Sequence, residues 1–384
     1  MDWLALLIFA VITLGHTTLW ISFVNRSHAW PLHCSQLRHL RHLHDLFIPL
    51  FPIILVWRVG LTGPNLLRGG SWANVSPVWW GVFAACAAGF VWLIWVCLRS
   101  LLRHPPEYQR SYDSIVYDIG KELGHRPVGR GPYHLLTKVP FNEQTLLEFS
   151  RKTLALPRLP EEWDGLTILH ISDWHFAGSI TRDYYEKVSE ILAQEPVDLV
   201  CFTGDLIDDQ DLVVWFPDTL GQLNGKYGSY FILGNHDWYQ RPVETREALE
   251  RLKWVDVSSR TLVLDIAGKT LELGGDETPW LGTVPEFTSS ADFRLLLCHT
   301  PDHIPRVRKQ DVDLMLSGHN HGGQVQLPVI GPVYSPSKYG VKYASGTFWE
   351  PPTLLHVSRG LAGCHPLRWR CKPEATILTL RRMS

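Results

Sequence analysis

Val312-Asp313-Leu314-Met315-Leu316-Ser317-Gly318-His319-Asn320-His321-Gly322-Gly323 runs from an apolar stretch into two imidazoles set among glycines. A short apolar run bounded by glycine reads as a buried strand, so this strand delivers its polar residues at one end. The construction recurs four times upstream. Residues 166–171 lead into Asp173-Trp174-His175, residues 197–202 into Gly204-Asp205, residues 230–233 into Gly234-Asn235-His236-Asp237, and residues 294–297 into Cys298-His299. Helical patterns at 183–192 and 242–252 lie between them. Residues 261–266 and 270–273 predict a hairpin around Ala267-Gly268, and residues 324–327, 353–357 and 376–380 predict later strands. Strands alternating with helices indicate an α/β unit. Ligand sites of such sheets sit beyond the strand ends, where every one of these polar motifs falls.

The residue types suit metal ions. Carboxylate oxygen, imidazole nitrogen and amide oxygen are ligands for Mn, Fe, Zn or Mg, and no thiolate is required. Two divalent ions about 4 Å apart repel by roughly 16 kcal/mol at an effective dielectric of 20, so a carboxylate bridging them is expected. A lone Asp or His after a strand is more often a cap or a loop residue; five motifs in series are a different matter. Gly318, Gly322 and Gly323 serve either as turn residues or to bring backbone close to an ion pair, and the second reading is favoured. Asp208 and Asp209 read equally well as solvated helix-start residues.

The motif set closely resembles the calcineurin-like metallophosphoesterase family. The matches are Asp-x-His at Asp173 and His175, Gly-Asp at Gly204 and Asp205 with Asp208 following, Gly-Asn-His-Asp at 234–237, His299, and Gly-His-x-His at 318–321. Gly318 to Gln324, Ser358-Arg359-Gly360 and Pro373-Glu374 also look like the membrane-associated bacterial YkuE/YaeI-like branch. The resemblance covers about residues 165–380. It implies an α/β sandwich of two mixed sheets flanked by helices, and two divalent metal ions as cofactors. Asp173, His175 and His321 would hold one ion, Asn235, His299 and His319 the other, and Asp205 would bridge them. His236 would contact the phosphate and protonate the leaving oxygen, with Asp237 orienting its imidazole. Trp174 stands where many relatives carry a small aliphatic residue, and is expected to shape the substrate mouth.

Residues 1–103 differ in kind. They hold long apolar runs at 3–24 and 78–98, each long enough to cross a bilayer as a helix. A third, kinked span is expected at 46–61, where Pro49 and Pro52 interrupt a shorter run. Arg26, Arg38 and Arg41 follow the first run, and Arg99, Arg103 and Arg110 follow the last, whereas the loop 58–77 has only Arg58 and Arg68. With three spans the Arg-richer segments lie in the cytoplasm, and the catalytic part with them; in a bacterium the membrane is the inner one. Asp2 and the lack of basic residues before the first run argue against a cleaved signal peptide. Residues 36–46 read equally as a lipid-surface helix or as a solvated connector. Residues 104–162 read as a linker with a short helix and a strand, and 163–384 as the metallophosphoesterase domain.

Charge excludes one class of partner. Lys+Arg 36 against Asp+Glu 38 leaves no basic excess for nucleic acid. Seven cysteines without zinc-knuckle or redox spacing fit a reducing compartment. The expected activity is a membrane-anchored, two-metal hydrolysis of phosphodiester or pyrophosphate bonds. An amphiphilic phosphate substrate is expected, either lipid-linked or a nucleotide-lipid such as UDP-2,3-diacylglucosamine. A phospholipid or cell-wall phosphodiesterase is the alternative within the class. A non-catalytic membrane sensor or scaffold that binds a nucleotide is the alternative outside it.

Overall fold

The computed structural model describes residues 2–288 and 290–383. The chain divides into two compact units. One holds the residues up to Arg103 together with Leu327–Gly340; the other holds His104–Gln326 and Val341–Ser384.

The first unit is built on three helices: α1 (Trp3–Ser27), α2 (Cys34–Leu55) and α3 (Pro77–Leu101). A π-helical segment, Val56–Leu61, continues α2. Three helical stretches, Trp3–Ser27, Ser35–Leu61 and Pro77–Leu101, are long and apolar enough to cross a membrane. The expected middle span is therefore longer than 46–61, because the leucine-rich connector 36–46 is its first turns. Pro49 and Pro52 sit inside α2 without ending it. Asp2 caps α1 by accepting from the Leu4 and Ala5 amides. Close backbone approach holds α1 to α3. A Cβ on Gly15 would stand 1.7 Å from the Cys86 carbonyl oxygen, and one on Gly89 would stand 2.4 Å from that of Gly15. Small residues at such crossings let helices pack in lipid, where no hydrophobic force drives them together. Leu327–Gly340 comes from the far end of the sequence, yet it packs here. The Asn25 amide donates to the Val333 carbonyl and accepts from the Ser335 amide, each at 3.2 Å.

The second unit is a two-sheet sandwich. Strands β1 (Gln109–Asp118), β2 (Leu146–Leu156), β3 (Thr167–Ile171), β4 (Leu199–Thr203), β5 (Ser229–Ile232) and β6 (Val255–Asp256) are followed by β7 (Thr261–Ile266), β8 (Lys269–Asp276), β9 (Phe293–Cys298) and β10 (Leu314–Ser317). After β10 the chain enters the first unit, with β11 (Gln326–Leu327) at the boundary and β12 (Gly331–Pro332) within that unit; β13 (Gly346–Glu350), β14 (Thr353–Val357) and β15 (Glu374–Arg382) follow in the second. The first sheet has the order β1-β2-β15-β3-β4-β5-β6 and the second β13-β14-β10-β9-β8-β7. Both are mixed: β3, β4 and β5 run parallel, as do β8, β9, β10 and β14, with antiparallel pairs elsewhere. Helices α4 (Ile119–Leu123), α5 (Arg182–Ala193), α6 (Asn235–Trp238), α7 (Pro242–Arg251) and α8 (Ile304–Val307) complete it.

Alternation along the central strands sorts their side chains. Leu169, Ile171, Val200, Phe202 and Phe231 join Tyr184, Val188 and Leu192 of α5 in one core. Ile168, Leu199, Cys201, Tyr230 and Ile232 join Leu295, Leu297, Leu314, Leu316 and Leu354 of the second sheet in another. Both faces are covered, which is why these strands read as continuous apolar runs. Residues 104–162, expected to hold a short helix and one strand within a linker, supply α4 and two strands, β1 and β2. β2 pairs in parallel with β15 over Leu146–Leu156 and Glu374–Arg382. Nothing in a local reading shows such a partner two hundred residues away.

A buried polar thread also joins the two sheets. Lys152 of β2 donates to Glu374 at 2.9 Å and bonds the His356 ring at 3.0 Å. His356 meets His170 at 2.9 Å, and His170 meets the Thr203 hydroxyl at 3.0 Å. Burial pushes the His170 imidazole down to about 3, so it stays neutral.

Leucine at Gly89 should force α1 and α3 apart, because backbone rather than a flexible side chain occupies the space. Overpacking of this kind costs about 1–3 kcal/mol. The expected result is a lower thermal midpoint and loss of monodisperse protein in mild detergent, whereas Gly81→Leu, which meets nothing within 4 Å, leaves both unchanged.

Candidate metal centre

Five loops converge just beyond the ends of β3, β4, β5, β9 and β10. They bring the expected residues into two groups. Asp173, His175, Asp205 and His321 offer ligand atoms within 4.8 Å of one another, and so do Asp205, His299 and His319. Asp205 belongs to both. His175 Nε2 lies 3.6 Å from Asp205 Oδ2, and His321 Nε2 lies 3.6 Å from Asp173 Oδ1. On the other side His299 Nε2 is 3.3 Å from Asp205 Oδ1, 3.1 Å from Asn235 Oδ1 and 3.2 Å from His319 Nδ1.

These distances suit ligands of a common ion, since metal–ligand bonds of roughly 2.0–2.2 Å leave neighbouring donors about 3–3.5 Å apart. His175 Nε2 and Asp205 Oδ2 are buried without a hydrogen-bond partner, a costly state for polar atoms unless a cation takes them up. The opposite ring nitrogens are already committed. His175 Nδ1 bonds Asp208 at 3.0 Å, His299 Nδ1 the Thr203 carbonyl at 2.7 Å, and His321 Nδ1 the Ala362 carbonyl at 3.1 Å. Such acceptors fix the tautomer and leave the Nε2 lone pair for a metal. The donor set therefore fits two divalent ions.

The backbone bears the cost of this convergence. Asp173, His175, Asp205, His319 and His321 all have φ between +46° and +69°, a region that non-glycine residues seldom occupy outside functional sites. Glycines make room for them. A Cβ on Gly318 would lie 2.3 Å from Asp173 Oδ2, and one on Gly234 would lie 2.2 Å from Asp205 Oδ1. The expectation that glycine brings backbone close to the site thus holds at Gly318. At the chain level the effect is to thread four loops through a space with no room for side chains other than the donors.

His236 differs from the other imidazoles. Its side chain is 27% exposed, whereas those of His175 and His299 are fully buried. Its Nδ1 contacts Asp208 Oδ1 at 2.5 Å, and its amide donates to Asp205. Burial opposes the imidazolium, but the carboxylates of Asp208 and Asp205 outweigh it and hold the His236 pKa well above the usual value. Asp237, expected to orient this ring, does something else. Its carboxylate accepts from the amides of Leu206, Ile207 and Gly234 at 2.8–3.2 Å. It ties the Asp205 loop to the Asn235 loop, and Asp208 takes the ring. Neighbours in sequence on a short helix point in different directions, so adjacency misassigned the partner.

Trp174 is likewise displaced from its expected place at the mouth. It is fully buried and stacks on Tyr185 at 6.0 Å, away from solvent. Trp280 is the tryptophan beside the donors, 5.0 Å from the His319 ring and 5.7 Å from that of His299. Arg368 was not singled out either. Its buried guanidinium donates to the carbonyls of His321, Arg359 and Ala362, so it fixes the acceptor that orients His321. Cys364 and Cys371 are not joined in a disulfide.

A chelator should lower the thermal midpoint of the purified protein and Mn²⁺ should restore it, because ligands that bind only the folded state stabilise it. In Asp205→Asn the Mn²⁺-dependent shift should be lost. An equal shift in both proteins would show that Asp205 is not a ligand.

Comparison with known proteins agrees with this geometry. Residues 166–323 match the model of the calcineurin-like phosphoesterase family. The metallophosphoesterase YkuE of Bacillus subtilis is 32% identical over 252 residues, 62% of this chain and 87% of the relative. The phosphodiesterase YaeI of Escherichia coli is 29% identical, over 56% of this chain and 81% of its own length. A transmembrane protein with a metallophosphoesterase domain from Danio rerio is 26% identical, over 60% of this chain and 56% of its own length. Members of this family use a dinuclear metal centre, and the two donor groups sharing Asp205 are His/Asp groups that could bind metal. The chain belongs to the calcineurin-like metallophosphoesterases and is a metal-dependent phosphoester hydrolase.

Proposed function

We propose that this protein hydrolyses a phosphodiester or pyrophosphate bond in a lipid-linked or nucleotide-lipid substrate, of which UDP-2,3-diacylglucosamine is an example, at the cytoplasmic surface of a membrane. One observation carries the reading: two donor groups share a buried carboxylate, and among the described imidazoles beside them His236 is the most exposed, at 27% against 14% for His321. The phosphodiesterase YaeI among the relatives supports diester cleavage. The three apolar helices support an amphiphilic substrate, and the arginines that follow the first and last of them support a cytoplasmic site.

In this reading Asp173, His175 and His321 would hold one ion and Asn235, His299 and His319 the other, with Asp205 within reach of both groups. When bound, the ions act as Lewis acids on the phosphate oxygens and make a nucleophile available near neutral pH. The chain's own residues do the rest. Asp208 accepts from His236 Nδ1 and, with Asp205, favours the imidazolium, whose Nε2 proton is the one offered to the leaving oxygen while the ring returns to neutral. Because Asp208 also accepts from His175 Nδ1, one carboxylate orients both a ligand and the acid. Asp237 keeps the two loops in register from below.

Turnover of bis-p-nitrophenyl phosphate with Mn²⁺ should fall about 10²–10⁴-fold in His236→Ala if that ring is the general acid. Asp208→Asn should lose about 10–100-fold while keeping its fold. Wild-type rates in Asp208→Asn would sink the dyad. The substrate class is tested by product analysis on lipid-linked and nucleotide phosphates in detergent micelles. Turnover of soluble nucleotides alone would overturn the amphiphilic reading.

A further inference from the structure

The segment between α4 and β2 presents an unusual surface. Tyr133 is 54% exposed, Leu135 62%, and Phe141 86%. Tyr133 and Phe141 flank a short 3-10 helix, His134–Lys138, and both are in the left-handed region, with φ of +57° and +61°. Bulky residues seldom adopt such angles, and where they do the surroundings must enforce them. Here strain is accepted in order to point two aromatic rings outward rather than into the core.

The segment is held firmly. The Asn142 amide donates to the carbonyls of Leu136 at 2.9 Å and Pro366 at 2.8 Å, and it accepts from the amides of Gln144 and Arg368. Gly131 donates to the Gly178 carbonyl at 2.8 Å, and Tyr133 packs on His365 at 4.3 Å. Both contacts lead to the metal centre. Gly178 follows His175 by three residues, and His365 follows Ala362, whose carbonyl orients His321. A rigid apolar edge therefore borders the loop that carries Asp173 and His175 and the loop whose Ala362 carbonyl orients His321.

Charge indicates what covers this edge. Residues 123–142 include Arg126, Arg130 and Lys138, all exposed, and no Asp or Glu. Exposed aromatic and aliphatic side chains interleaved with cations suit the interface of an anionic bilayer: rings enter the acyl boundary and cations meet headgroup phosphates. The same chain carries three helices able to cross a membrane. Only residues 102–108 separate the last of them from β1, a tether of about 25 Å at full extension.

We infer that Tyr133, Leu135, Val139 and Phe141 insert into the interfacial layer of the bilayer, with Arg126, Arg130 and Lys138 on anionic headgroups, so that the loops of the metal centre open at the lipid surface. The inference rests on the helices crossing a membrane, and its failure is distinguishable from failure of that reading. The full chain is reconstituted in phosphatidylcholine vesicles containing phosphatidylglycerol. A nitroxide is attached at Phe141→Cys, at Val91→Cys on the exposed face of α3, or at Val263→Cys on the exposed hairpin strand β7. Collision with oxygen is compared with collision with a water-soluble nickel chelate. The label at 141 should favour oxygen, shifted toward the value at 91 and away from that at 263. A water-like value at 141 with a lipid-like value at 91 overturns the inference alone. Water-like values at both sites remove the membrane reading as well. A label at 141 broadened by a second copy of the chain would assign the edge to a protein contact and would also overturn it. Metal-dependent turnover of bis-p-nitrophenyl phosphate by each labelled protein confirms that it is folded.

Discussion

The carboxylate of Asp205 is the constraint around which the soluble unit is arranged. It is buried, it lies within reach of imidazoles from three other loops, and it faces both donor groups at once. Burying one charge is expensive unless it is paired, and a second carboxylate, Asp173, stands nearby. Burial pushes the Asp173 carboxyl above its usual range and Asp205 adds to that push, while His299 pulls the other way. Two divalent cations would resolve the conflict, because they would compensate both carboxylates and be held by the imidazoles grouped around them.

Everything around that point reads as support for it. The parallel strands β3, β4 and β5 of one sheet, and β9 and β10 of the other, end at the same rim, so five loops meet without long excursions. Their arrival is strained, with five donors in the left-handed region. The strain is tolerated because hydrogen bonds over-determine each loop. Asp237 clasps the Leu206, Ile207 and Gly234 amides, Asp173 accepts from the His319 amide, and Arg368 gathers three carbonyls behind His321. Preorganisation of this kind costs folding energy and saves it during the reaction.

The helical unit follows different rules. Its α1 and α3 approach through glycines that let backbones touch, the packing suited to helices that could cross a membrane. The return of Leu327–Gly340 to this unit is its least expected feature, because the segment is flanked in sequence by His321 and by strands of the soluble sandwich. The polar end of α1 offers Asn25, whose side-chain amide meets two backbone groups of that segment. A single amide thus substitutes for a sheet ladder.

Much of this was legible in the linear order. Apolar runs that end in Asp, Asn and His announce strands with ligands at their tips, because a strand buried on both faces can place polar groups only beyond its ends. Long apolar helices announce themselves by length. What the sequence could not supply is direction and distance. Asp237 adjoins His236 in sequence and Asp208 lies 28 residues before it, yet it is Asp208 that touches the ring. Trp174 sits between two donors in sequence and points into the core, while Trp280, far from any motif, lies against His299 and His319. The pairing of β2 with β15 joins residues more than two hundred positions apart, and the guanidinium of Arg368 reaches back 47 residues to the His321 carbonyl. Sequence alone determined which donors exist and that strands carry them, since those follow from local pattern. Tertiary structure decided which groups orient them, since orientation depends on where neighbouring loops place their hydrogen-bonding atoms.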